Sequence, residues 1–65
     1  MKLTVNGKDQ DVAATTLAAL LAELEYEGRW LATAHNGELV RAAERNDCRL
    51  ADGDRIEVLS PMQGG

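Results

Sequence analysis

Asp52-Gly53-Asp54-Arg55-Ile56-Glu57-Val58-Leu59 is the stretch that decides how this chain folds. Asp and Gly carry turn chemistry, because an Asp side chain can bond its own backbone and Gly accepts positive φ. From Arg55 to Ser60 apolar and polar residues alternate, which predicts a half-buried strand with Ile56 and Val58 inward and Glu57 and Leu59 outward. Met1 to Val5 alternates the same way, with Met1, Leu3 and Val5 on one face and Lys2 and Thr4 on the other. Both ends of the alternating chain are thus strands, and how they pair sets the fold.

The residues between them limit the choice. Asn6-Gly7 is a strong hairpin signal, since both positions tolerate positive φ. It predicts a returning strand over Asp9 to Ala14, with Val12 inward. Thr15 or Thr16 is placed to cap a helix. Leu17, Leu20, Leu21 and Leu24 then recur at helical spacing and form one apolar stripe. Ala18, Ala19 and Ala22 favour helix and allow close packing, Glu23, Glu25 and Glu27 mark a solvated side, and Gly28 supplies a stop. Trp30 to His35 reads as a third strand, with Ala32 and Ala34 sharing the face beneath the helix. Asn36-Gly37 is a second turn and Glu38-Leu39-Val40 a short return strand. Arg41 to Arg49 is polar and reads as an irregular connection with one helical turn, anchored by Leu50.

The order is hairpin, helix, strand, short strand, turn, strand. Parallel strands need a crossover, and the helix provides one. The economical α+β solution is a mixed sheet with the first and last strands paired at its centre and one main helix packed across a face. This is the β-grasp architecture. The residues after Leu59 then project from a central strand.

Sixty-five residues predict a single domain, 1–65, with a flexible C-terminal tail over 60–65. A domain this small buries a modest core and has little room for a deep cleft, which weighs against an enzyme. Tyr26 and Trp30 are the aromatics and Phe is absent, so Leu, Val, Ile and Ala must fill the core. The net charge is −4 and no run of Lys or Arg stands out, which argues against nucleic acid and anionic membrane as partners. Cys48 has no second cysteine to pair with, Lys2 is followed by alternation rather than an apolar run, and no stretch reaches the length of a membrane span. The cytoplasm is the expected compartment.

The tail is Ser60-Pro61-Met62-Gln63-Gly64-Gly65. Two glycines order poorly, yet they thread a narrow slot well because no β-carbon obstructs the approach. Pro61 stiffens the base of this segment. Gly is roughly 7% of average composition, so a closing pair arises by chance about 0.5% of the time. Other candidates carry less. Cys48 lies alone in a polar stretch and reads as incidental. His35 has no second ligand at metal spacing and is expected to face solvent beside a turn. Asp52 and Asp54 flank Gly53 as ordinary turn residues. No metal site, cofactor site or catalytic triad is expected. Leu59 and Met62 form a candidate partner-docking surface, because apolar side chains exposed next to one another suit association.

Asn36-Gly37-Glu38-Leu39-Val40, Asp52-Gly53-Asp54-Arg55-Ile56-Glu57-Val58 and the tail through Gly64-Gly65 together resemble the ThiS-type sulfur carriers of thiamine biosynthesis, members of the ubiquitin-like β-grasp family. The likeness spans essentially the whole chain. One departure is Arg41, where family members often have a proline. The resemblance implies that an E1-like adenylating enzyme of the ThiF type transfers AMP from ATP to the Gly65 carboxyl. A sulfur-donating protein then displaces the AMP to leave a thiocarboxylate, and a thiazole synthase of the ThiG type receives the sulfur. Gly64, Gln63, Met62 and Pro61 would enter the partners' active sites. The carrier itself would catalyse nothing and need no cofactor. Two alternatives stand beside this reading: a sulfur carrier of molybdopterin synthesis or another sulfur pathway, and a non-catalytic β-grasp binding module.

Overall fold

The computed structural model describes residues 1–26 and 30–60. In chain order the elements are β1 (Lys2–Val5), β2 (Lys8–Asp11), α1 (Leu17–Glu23), β3 (Ala32–His35), β4 (Glu38–Val40), a single 3-10 turn (Ala42–Glu44) and β5 (Arg55–Leu59). The five strands form one sheet in the order β2-β1-β5-β3-β4. β1 and β5 are parallel neighbours at its centre, and the other pairs are antiparallel. This is the mixed β-grasp sheet that the sequence predicts.

Both Asn-Gly pairs turn as expected. Asn6 and Gly7 have φ of 50° and 81°, and Asn36 and Gly37 have φ of 50° and 88°. Such positive pairs match the twist of the strands they join. Thr16 caps α1, its Oγ1 accepting the Ala19 N–H at 3.2 Å. The Leu17 and Ala18 N–H groups donate to the carbonyls of Cys48 and Arg45, so the connection after β4 meets the open start of the helix. Leu17, Leu20 and Leu21 bury their side chains against Leu3, Val5, Val12, Ile56 and Val58, with Val40 and Leu50 closing the edge of the core. Leu50 is thus the anchor of the polar connection, as predicted.

Three local expectations are corrected. The returning strand runs over Lys8–Asp11, not to Ala14. Val12 is still buried, but Ala13 and Ala14 turn their N–H groups to the Glu23 carboxylate instead of to a strand. The helix ends at Glu23, well before the expected stop. Glu25 takes a positive φ of 62° and Tyr26 N–H bonds back to the Leu21 carbonyl, so the chain turns from the helix at Glu25; Gly28, the expected stop, lies outside the described residues. Lastly, β3 is turned over. Thr33, 1% exposed, faces the core, and Ala32 and Ala34 face away from it. The Thr33 hydroxyl donates to the Val40 carbonyl at 2.8 Å and accepts from Arg45 Nε at 3.1 Å. A buried hydroxyl with both roles filled carries little penalty, which lets Thr serve as a core residue here.

Candidate functional site

The end of β5 is the natural place to look, because β5 is flanked by strands on both sides and the chain beyond it leaves from a fixed base. Ile56 and Val58 point into the core while Glu57 and Leu59 point out. Leu59 is 68% exposed, as the alternation predicts. The remaining tail candidates, Pro61, Met62, Gln63, Gly64 and Gly65, lie outside the described residues.

Leu59 has apolar company on the sheet. Its partner across the ladder is Ala32, and Ala34 on the same strand faces Leu39 of β4. Directly opposed residues share a sheet face. Leu39 and Leu59 therefore stand on the open face with the two small alanines between them. Leu39 is 71% exposed, and Trp30, just before β3, is 68% exposed. Alternation along β5 points to Leu59 on this face, but the sequence reading puts Ala32 and Ala34 under the helix. Ala34 also opposes Glu57 of β5, so a carboxylate stands among these apolar side chains on the open face.

The other weighed residues find structural roles. His35 does not simply face solvent. Its Nε2 lies 2.7 Å from Asp54 Oδ2, and both side chains are mostly covered. Asp54 also accepts from Ala51 N–H at 2.8 Å and from Asn36 Nδ2 at 3.1 Å. These bonds, the one with His35 foremost, hold the Asp54 carboxyl below the usual carboxylate range. Asp52 accepts the Lys2 N–H at 2.6 Å, tying the turn before β5 to the start of β1. Cys48 is half-buried, and burial, with the Asp54 and Glu44 carboxylates behind it, pushes its thiol up from the ordinary value. A protonated thiol is a poor sulfur nucleophile at neutral pH. His35 and Cys48 line one depression of about 390 Å³ beside β4, together with Glu44 and Asp47. Among the described residues no three His, Cys, Asp or Glu side chains are grouped to hold a metal ion. Nor is any helix among them long and apolar enough to cross a membrane.

The family model of the ThiS family matches residues 3–65. The chain belongs to the ThiS family. Relatives and solved structures agree with that membership. Over 61 residues the chain is 36% identical to the sulfur carrier protein ThiS of Thermus thermophilus, covering 94% of this chain and 95% of that protein. It is 35% identical over 66 residues to a thiazole synthase of Paramagnetospirillum magneticum, of which the match spans the whole of this chain but one fifth of the relative's length. A crystal structure of the thiamine biosynthesis protein ThiS from Geobacter metallireducens superposes with a TM-score of 0.84 at 32% identity, with each chain fully covered. A solution structure of a thiamine biosynthesis protein from the same organism gives 0.81, covering 88% of that chain. The ThiS fold thus accounts for the central parallel pair and the exposed end of β5 alike.

Proposed function

We propose that this chain is a sulfur carrier of thiamine biosynthesis, with the Gly65 carboxyl as the sulfur-bearing group. The single observation that carries this reading is ThiS family membership across residues 3–65, which takes in the whole tail. A carboxylate with a reference pKa of about 3.3–3.7 is ionised in the cell and is a weak electrophile. Adenylation by an E1-like, ThiF-type enzyme would give it a leaving group, with pyrophosphate released from ATP. A sulfur-donating protein would then displace AMP and leave a thiocarboxylate, which a ThiG-type thiazole synthase would consume. The similarity to a thiazole synthase supports the last of these partners. The carrier's part is to place one carboxyl in successive active sites, with Pro61, Met62, Gln63 and Gly64 forming the slim approach; positioning of this kind supplies rate. The domain 1–59 would serve as the handle and 60–65 as the tail. Leu59, with Met62, would dock on the adenylating enzyme. The lone Cys48 suits a reducing cytoplasm on this reading.

Intact mass spectrometry tests it. Incubation with ATP, a sulfide source and an adenylating enzyme proven on another ThiS is expected to raise the mass by the difference between sulfur and oxygen. Deletion of Gly65 is expected to abolish the gain. An unchanged mass in the intact chain would overturn the reading.

A further inference from the structure

β1 ends at Val5, but β5 beside it continues to Leu59. The parallel ladder between them has rungs from Thr4 N–H to the Asp54 carbonyl at 3.0 Å and from Asn6 N–H to the Ile56 carbonyl at 2.9 Å. The step is two residues. The next rung would run from Val58 N–H to the Asn6 main-chain carbonyl, and the one after from a donor at position 8 to the Val58 carbonyl. The main chain supplies neither. Asn6 has turned into the hairpin with a φ of 50°, and Lys8 is paired back onto Val5 in β2. The Asn6 side chain supplies both instead. Its Oδ1 accepts Val58 N–H at 2.8 Å and its Nδ2 donates to the Val58 carbonyl at 3.1 Å. One carboxamide stands in for the carbonyl of one peptide unit and the N–H of the next. Nδ2 also donates to the Tyr26 hydroxyl at 3.2 Å, which ties the segment after α1 to the same point.

We propose that Asn6 is a positioning residue that holds the end of β5 and so fixes where the tail leaves the sheet. The functional half of this rests on the carrier reading above. Glycine would make the same turn but leave Val58 unpaired on that side. Aspartate would keep the acceptor for Val58 N–H but set a carboxylate against the Val58 carbonyl. With Asn6 gone, Val58 loses both partners on β1's side and the end of β5 is held by β3 alone, so residues that were ordered in the free carrier must be ordered on docking. That ordering weakens capture of the carrier without altering the chemistry of a carboxyl already bound.

Two variants test this, Asn6→Gly and Asn6→Asp; both keep a residue that tolerates the turn. Amide hydrogen exchange is expected to show Val58 exchanging at least about tenfold faster in Asn6→Gly, less so in Asn6→Asp, with Leu3 and Val5 still protected. At a temperature well below the unfolding midpoint, the KM of the adenylating enzyme for Asn6→Gly is expected to rise about tenfold, with kcat within about twofold. Unchanged Val58 protection in both variants would overturn the proposal. So would uniform loss of protection across all strands, or a frayed Val58 with an unchanged KM. If the wild-type chain is not adenylated at all, the carrier reading has failed, and the exchange data alone decide whether Asn6 holds the strand.

Discussion

Asp54 shows what one turn carboxylate holds together. It collects the Ala51 N–H, the Asn36 amide and His35 on its two oxygens, joining the β3–β4 turn to the turn before β5. Its pKa is lowered in the folded chain, so it stabilises the fold above the unfolded value of about 4, and that contribution is lost as the pH falls through the folded pKa. Asp54→Asn is expected to lose about 1–2 kcal/mol at pH 7. Urea unfolding should show the gap to wild type narrowing below about pH 4; a gap that stays constant down to acid would refute the assignment. The sequence made Asp52-Gly53-Asp54 readable as a turn, because turn chemistry is local. It did not reveal that His35 and Asn36 meet Asp54, because those partners come from the end of β3 and the turn after it, and no spacing encodes the meeting. Thr33 escapes the sequence for a related reason. Alternation alone treats a Thr as an outward residue, and only the Val40 carbonyl and Arg45 guanidinium make it an inward one.

Among the elements, α1 is short, and its last residue does more than mark a solvated side. The Glu23 carboxylate accepts from Ala13 N–H at 3.1 Å and Ala14 N–H at 2.9 Å, which latches the approach to the helix onto its far end. A carboxylate at a helix C-terminus works against the helix dipole, and Ala is the better helix former. Propensity alone therefore makes Glu23→Ala slightly stabilising. The latch reverses that sign: Glu23→Ala is expected to destabilise by about 1–2 kcal/mol in thermal or urea unfolding. A neutral or stabilised variant would show that the latch contributes nothing. Element identity was legible along nearly all of the chain, since the periods of two and 3.6 and the Asn-Gly turns are local signals. Element ends were less so. Glu25 reverses the chain at a φ of 62° without being the glycine that the usual rule looks for.

At the scale of the whole molecule, the sheet has two unlike faces. One lies under α1, and the other carries Leu59, Ala32, Ala34 and Leu39 with no described element across it. Leu59→Asp is expected to leave the unfolding midpoint within a few degrees, because the side chain is 68% exposed, while calorimetric titration shows weakened binding to the adenylating enzyme. Equal affinity would overturn the proposal that Leu59 docks on that enzyme. The open face was only half legible, because Leu59 followed from alternation but its neighbours depended on which way β3 was turned. The pairing of β1 with β5 has a further consequence, felt while the protein is being made. Thr4 and Val5 find Arg55 and Ile56 across the middle of the sheet, so the first strand made waits for the last. Until Leu59 has left the ribosome, the growing chain lacks its central strand and much of the helix's packing surface. A translation product that stops before β5 therefore lacks Ile56 and Val58, two of the buried residues on which the helix packs.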